Sequence, residues 1–525
     1  MKRKSYLKII IGILSVIILM KVLATVLFEP WIEKKLQTSL NEKDNSYQIK
    51  IKRVRISLLK SRIELKNITI NSKKSTGGKP DFHGEIAYVK FTGVNFLKAL
   101  FKKDISIKEI DISGSNIKGV TSTATKTPVK LLVPLNFNTG LIRFDNTNII
   151  IASTSSAQLF NLKEGYLKVY NLRVERKDTL SLSLIREFDF ETKKLLTISS
   201  DSMYTYSACN LVYSSASKTI SADSASVHPN YTNSDFTSRY KYQKTRIEVD
   251  FSEIFIHDFN VSEYFSDKSL TSSYIKVGKM EMKVFRDNRK EFQHIKIPTF
   301  QERIYSYKGV LNIDSIRLLN GNISYTDHAK GANEPGNLNF NKIHASIYKI
   351  SNNTIYKTRS AFLKLSCDAL LMGKGEIKVL LKAILFDPSN TFSVNGTLAG
   401  MEAKELNPFL EKNAFVYVTS GKIDGMKFSF TSDNSSSSGQ MNLLYHGLNL
   451  TVKNKRSDDT TAFRERFISA IANSKILSSN PIPGENARTE TIYYRRDPEK
   501  FLFDYCAKSI MSGIKSSLLK KPARN

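Results

Sequence analysis

One eight-residue pattern recurs along this chain and restricts it to a particular kind of β-sheet. An apolar, a polar and an apolar residue are followed by two polar residues, and then by apolar, polar and apolar positions. Alternation with a period of two is typical of strands, because successive side chains of a strand point to opposite faces. The apolar positions of the five closest matches are Ile49, Ile51, Val54, Ile56, then Ile63, Leu65, Ile68, Ile70, then Ile105, Ile107, Ile110, Ile112, then Ile275, Val277, Met280, Met282, and finally Leu311, Ile313, Ile316 and Leu318.

The two adjacent polar residues in the middle of the pattern interrupt the alternation. A strand keeps all four apolar side chains on one face only if its backbone bulges or bends at that point. Looser copies occupy residues 167–174, 249–256, 338–345 and 443–450. The repeated step predicts a long curved sheet with one continuous apolar face, and the alternative is an ordinary sandwich whose strands are kinked independently.

Residues 7–28 form the one stretch of the sequence that is long and apolar enough to span a bilayer. Basic residues at positions 2–4 and Lys8 precede it, so the positive-inside rule places the N-terminus in the cytoplasm and the bulk of the chain across the membrane. A cleaved signal peptide has the same general plan. Because residues 22–26 lack a small-x-small cleavage site, we predict a retained anchor.

Helical periodicity returns at two further places. Trp31, Ile32, Leu36 and Leu40 are spaced as on one helix face, and a helical pattern also follows Asp459. The predicted fold class is therefore mainly β, with an N-terminal transmembrane helix, a long curved repetitive sheet forming an open trough, and two amphipathic helices near the C-terminus. Its segments are a cytoplasmic tip and transmembrane helix at 1–28, a short amphipathic helix at 29–46, a repetitive β-sheet body at 47–460, and a C-terminal helical segment at 461–525.

The charge balance favours contact with polyanions. The chain has 79 Lys and Arg against 49 Asp and Glu, a formal net charge of +30. Anionic lipid headgroups are one such partner, and a solvated lysine-rich surface is the alternative. Nucleic acid is not predicted, because the anchor removes the chain from that compartment and the charge is dispersed.

No motif of catalysis or of cofactor binding is present. The seven histidines form no close ligand pair, and the sequence has no G-x-S-x-G elbow, Walker A loop or dinucleotide fingerprint. Cys209, Cys367 and Cys506 are too few and too far apart for a disulfide framework. We therefore predict a protein that is not an enzyme, with no catalytic residue, cofactor or metal, although scattered carboxylates leave a spatial pair open.

Several segments resemble the AsmA-like family of envelope proteins of Gram-negative bacteria. Residues 28–36 resemble the segment that directly follows the membrane helix in this family. Similar strand phrases are at 49–56, 63–70, 313–325, 420–428 and 443–448, whereas about 180–245 shows no match. The resemblance implies an open β-trough with an apolar inner face, like that of bridge-like lipid transfer proteins. It also implies a role in moving phospholipids between membranes and in keeping the outer membrane balanced.

The expected function is that of an inner-membrane-anchored, single-pass periplasmic protein that binds or conducts phospholipids and supports outer-membrane homeostasis. Its expected partners are a phospholipid or another anionic envelope lipid, the inner membrane and outer-membrane proteins. The twenty apolar residues of the five closest matches are the candidate lipid-facing residues. The alternative is a non-enzymatic assembly or scaffold protein, which captures outer-membrane components at an exposed sheet edge by β-augmentation.

Overall fold

The computed structural model describes most of the chain from residue 47 onward, together with the helical positions Ser15, Ile18, Val22 and Lys34. The described ranges are 47–57, 60–73, 75–76, 79–95, 104–121, 136–153, 159–175, 184–357, 361–452 and 476–519. Apart from the four isolated positions, the predicted membrane helix and the 29–46 helix lie outside them. In this described part, no helix combines the length and the apolar character needed to cross a membrane.

Strands hold 63% of the described residues, which confirms the mainly β prediction. The strands are β1 (Tyr47–Ser57), β2 (Arg62–Ser72), β3 (Ser75–Thr76), β4 (Lys79–Pro80), β5 (Phe82–Thr92), β6 (Asp104–Thr121), β7 (Asn136–Ser153), β8 (Leu159–Val174), β9 (Glu187–Ile198), β10 (Tyr204–Ser214), β11 (Thr219–Pro229), β12 (Arg246–His257), β13 (Leu270–Ser272), β14 (Tyr274–Asp287), β15 (Leu311–His328), β16 (Gly336–Ser351), β17 (Phe362–Leu371), β18 (Gly375–Ile384), β19 (Phe392–Glu402), β20 (Val416–Ser432), β21 (Ser436–Val452) and β22 (Glu490–Arg495).

The helices of the described ranges are few and mostly short. They are α1 (Asn233–Ser238), α2 (Val261–Asp267), α3 (Phe300–Tyr305), α4 (Asn407–Asn413) and α5 (Leu502–Leu518), with 3-10 turns at Thr354–Lys357 and Ala403–Leu406. A capping box begins α3, because the Thr299 hydroxyl accepts from the Glu302 amide and the Glu302 carboxylate accepts from the Thr299 amide.

The chain divides into two compact units, Met1–Asp223 and Ser224–Asn525. In the first unit, the order of paired strands is β1, β2, β5, β6, β7, β8, β9 and β10. All of these pairs are antiparallel except β6 with β7, which are parallel. The unit therefore carries an extended, mostly antiparallel sheet built almost entirely from neighbours in the chain.

In the second unit, β12 pairs with β14 in antiparallel fashion, and β14 pairs with β15 in parallel. Successive antiparallel pairs then lead from β15 to β22. Parallel neighbours need a crossover connection. Residues 288–310 supply it and contain α3, whose Ile304 is buried in the core of this unit.

The C-terminal segment is helical only in part. The second predicted amphipathic helix, which begins near Pro498, is found as α5. The first, predicted from Asp459 to about Ser478, lies mostly within residues 453–475, which are outside the described ranges. Between them, β22 pairs with residues 436–441 of β21. Its side chains alternate, with Ile492 buried and Tyr493 63% exposed, so this six-residue run is a strand within a segment that was predicted to be helical.

Helix α5 covers the apolar face of the last strands. A Cβ atom at Gly513 would lie 2.8 Å from Ile492 Cγ1 and 3.0 Å from Met441 Cε, so the glycine allows the helix to approach the sheet closely. The hydroxyls of Ser437 and Ser509 are 2.7 Å apart across the same contact. The core of the second unit is therefore closed by this helix.

Candidate functional site

The pattern residues of the first unit lie directly opposite one another on neighbouring strands. Between β1 and β2 the four apolar pairs are Ile49 with Ile70, Ile51 with Ile68, Val54 with Leu65, and Ile56 with Ile63. The next pairings continue the rows, since Leu65 lies opposite Val89 of β5, and Val89 lies opposite Ile112 of β6. The strands thus align their apolar positions into rows that cross the sheet.

These rows form one closely packed apolar cluster. All twelve candidate residues of β1, β2 and β6 belong to it, together with Val89 and Val94. The six most buried of the twelve have exposed fractions between 2% and 8%: Ile51, Val54, Ile56, Ile68, Ile107 and Ile110. The structure therefore brings together the first three pattern copies.

The pattern residues of the second unit also share rows, but they are less enclosed. Ile275 and Val277 lie opposite Ile316 and Leu318 of β15. Of the eight candidates here, only Ile313 is buried, and the other seven are half-buried. Met280 and Met282 do not belong to the buried core cluster of this unit, in contrast to the residues that α5 covers.

The two-residue step of the pattern is a shared feature of two neighbouring strands. At four steps, one member of the opposed pair has a left-handed backbone. The pairs are Lys52 with Asn67 (φ 52°), Lys108 with Gly93 (φ 70°), Gly278 with Glu253 (φ 56°), and Asp314 with Lys349 (φ 62°). The sequence predicts a bulge or a bend at the step, and the left-handed residues mark where the backbone departs from regular strand geometry.

The two-residue step differs from an ordinary β-bulge. A bulge adds one residue to one strand and shifts the register. In β1 and β2 the register is the same on both sides of the step: Ile51 pairs with Ile68 before it, and Arg53 pairs with Lys66 after it. Each strand therefore contributes one residue to the step, and neither has an extra one. Sequence reasoning missed this pairing because Gly93 and Lys349 lie in neighbouring strands outside any copy of the pattern, although Asn67 and Glu253 fall at the polar positions of a copy.

The opposite face of the sheet is charged. Asp111 lies 2.7 Å from Lys90 Nζ and 2.6 Å from Arg143 Nη1, and these contacts link β5, β6 and β7. The hydrogen bond to Asp111 raises the pKa of Lys90. In the second unit, the hydrogen bond from Lys283 lowers the pKa of Glu248. Each unit thus has an apolar and a charged side to its sheet.

A polar network lies at the end of β14 and β15. Asn288 Nδ2 donates to Asp327 Oδ1 at 2.6 Å, and Arg289 donates to both oxygens of Asp287. Burial raises the pKa of Asp327 to about 6. Among the residues that the structure describes, no group of three or more His, Cys, Asp or Glu side chains could hold a metal ion.

The three cysteines are free thiols. Burial raises the pKa of Cys506 to about 12, and it also raises the pKa of Cys367. A thiol reacts as the thiolate, so these two groups are poor nucleophiles at neutral pH.

Comparison with models of protein families found no match to this chain, and comparison with curated protein sequences found none either. The resemblance to the AsmA-like family therefore stays a prediction that depends on the strand phrases and on the N-terminal segment.

Proposed function

We propose that this protein binds phospholipids by their acyl chains on the apolar face of its sheet and conducts them between membranes, supporting outer-membrane homeostasis. In the proposal, the N-terminal segment anchors the chain in the inner membrane and the sheet lies in the periplasm. The observation that supports it best is the alignment of apolar rows across successive strands in each unit.

An acyl chain requires a continuous apolar surface, which single strands cannot provide. Neighbouring strands are about 4.8 Å apart, so rows that stay in register place an apolar side chain at each such interval. Burying apolar area contributes about 25 cal/mol per Å². The more in-register strands an acyl chain crosses, the more apolar area it buries and the more tightly it is held.

The charges suit an anionic headgroup. The apolar rows contain no charged side chain, whereas the exposed residues that alternate with Met280 and Met282 along β14 are Lys279, Glu281 and Lys283. Of the two lysines, Lys283 is paired with Glu248 at 3.0 Å. With a net charge of +30 on the whole chain, the polar part of an anionic lipid is attracted to the surface while its chains contact the apolar side.

The half-buried positions of β14 provide the test. A photo-crosslinking amino acid such as p-benzoylphenylalanine is placed at Met280 in the full-length protein, and adducts formed in intact cells are identified by mass spectrometry. The matched control is Lys279, the adjacent exposed residue on the charged face. We expect phospholipid adducts at Met280 and few or none at Lys279.

The outcomes separate the two candidate functions. Equal lipid labelling at both positions, or none at Met280, would contradict lipid binding on the apolar face. Adducts with outer-membrane proteins in place of lipid would favour the scaffold alternative.

A further inference from the structure

Two adjacent buried hydroxyls lie on the apolar face of the first unit. Ser115 of β6 is 2% exposed and Thr147 of β7 is 8% exposed. They lie opposite each other in the parallel pairing of these strands. Among the residues that the structure describes, neither side-chain oxygen has a hydrogen-bond partner.

Their position on the sheet places them on the apolar side. Ser115 lies opposite Ile86 of β5, a member of the apolar cluster, and Thr147 lies opposite Gly165 of β8. Each hydroxyl residue directly follows a left-handed residue, Gly114 (φ 64°) or Asn146 (φ 50°). They are therefore the first residues after a step, where the strand has returned its side chain to the apolar face.

Other buried hydroxyls of the same face are satisfied within the protein. Thr192 of β9, which lies opposite Gly165, donates to the Lys163 carbonyl at 2.8 Å. Thr139 of β7 donates to the Leu141 carbonyl at 3.3 Å. Burying a hydroxyl without a partner is costly, because it loses its hydrogen bonds to water. Ser115 and Thr147 thus offer two adjacent donors for which the described part of the chain supplies no acceptor.

The surroundings limit the group that could accept these hydrogen bonds. On the neighbouring strands the facing residues, Ile86 and Gly165, carry no charge, and a phosphate placed among apolar side chains is strongly disfavoured. A neutral carbonyl oxygen has two lone pairs and can accept from both hydroxyls. Acyl esters present such an oxygen next to an apolar chain.

We propose that Ser115 and Thr147 form a binding site for the ester carbonyl of an acyl lipid, which fixes the depth at which the glycerol end of the lipid lies on the apolar face. This inference rests on the proposed lipid-binding function and specifies the part of the lipid that is recognised.

The experiment compares two lipids that differ only in this carbonyl. Dioleoyl phosphatidylglycerol has ester linkages, and its dioleyl ether analogue has the same headgroup and chain length without the carbonyls. Full-length protein in detergent is titrated with each lipid, and binding is followed by native mass spectrometry. One or two hydrogen bonds correspond to a preference for the ester of about three- to tenfold.

The double variant Ser115→Ala/Thr147→Val should remove this preference. Its affinity for the ester lipid should fall to that of the ether lipid, while ether binding stays unchanged. Its melting temperature should be equal to or higher than that of the wild type, because unpaired hydroxyls are replaced by apolar groups.

The matched control is Thr92→Val. The Thr92 hydroxyl of β5 is also buried and has no partner within the described ranges, but its strand neighbours Arg62 and Glu109 are on the charged face. This variant should keep the ester preference.

The proposed carbonyl site is wrong if the wild type binds both lipids equally, which is also the result expected if water alone occupies the site. It is equally wrong if the double variant keeps the ester preference. In both cases lipid binding itself stands. If neither lipid binds, the proposed function itself fails.

Discussion

At the scale of single residues, the structure holds a carboxyl in an environment that disfavours its charge. Burial raises the pKa of Asp327 from 3.8 to about 6, against the opposing effect of Arg286 and of the hydrogen bond from Asn288. The folded chain thus retains a proton that the unfolded chain releases. The free energy of unfolding therefore falls as the pH rises from 3.8 to about 6.

The variant Asp327→Asn should lack this part of the pH dependence. The amide oxygen can still accept from Asn288, so the variant should gain up to about 3 kcal/mol over the wild type at pH 7 and little at pH 4. Thermal unfolding at both pH values measures the difference. Asp314→Asn, an exposed change on the same strand, is the control. An equal gain at pH 4 and pH 7 would show that ionisation of Asp327 is not the cause.

At the scale of elements, the sequence pattern predicted the strands well because alternation and the two-residue step are local properties. Tyr47–Ser57 and Arg62–Ser72 are strands whose apolar residues pair as the pattern implies. Two features escaped prediction. The strand Thr219–Pro229 has little apolar periodicity, and the parallel pairing of β14 with β15 depends on the crossover through α3. Neither is visible in a short window of sequence.

The shared step gives a test at this scale. A Cβ atom at Gly278 would lie 2.5 Å from Glu253 Oε2 and 2.7 Å from Glu253 Cβ. Gly278→Ala should therefore destabilise the second unit by about 1–3 kcal/mol through steric overlap. Glu253→Gly removes the opposing side chain. It also removes the strain of a left-handed non-glycine residue, and that strain costs roughly 1 kcal/mol in the wild type.

The two changes together should restore most of the lost stability, and urea unfolding of all four proteins provides the coupling energy. Additive effects of the two substitutions would contradict the idea that the strands bend together. Gly425→Ala is a useful reference, because Gly425, like Gly278, is a strand glycine without a positive φ, and a Cβ atom there would meet only Leu398 O, at 3.7 Å.

At the scale of the whole molecule, the two units present their apolar rows differently. Ile110 is 6% exposed within the packed cluster of the first unit, whereas Met280 in the second unit is half-buried and not part of the core cluster there. Which residues are enclosed depends on packing between distant segments, so the sequence alone predicted one common role for all twenty.

An aspartate at each position should separate these environments. Ile110→Asp buries a carboxylate in an apolar cluster and should cost about 3–5 kcal/mol, unfolding the first unit. Met280→Asp should leave the protein folded and reduce its phospholipid content. Melting curves, limited proteolysis and lipid extraction measure both effects, and Met280→Leu is the control for loss of methionine alone. Unfolding by Met280→Asp would indicate that this face is a closed core.

The in-phase steps of β1 and β2 also have an evolutionary consequence. Deleting a residue away from the step, such as Lys50, would make Ile49 and Ile51 adjacent, and their side chains would then point to opposite faces. Single-residue insertions and deletions within strands should thus be strongly selected against. Duplication of a whole hairpin keeps both the phase and the step, so such a sheet can lengthen or shorten by two strands at a time while its apolar face stays unbroken.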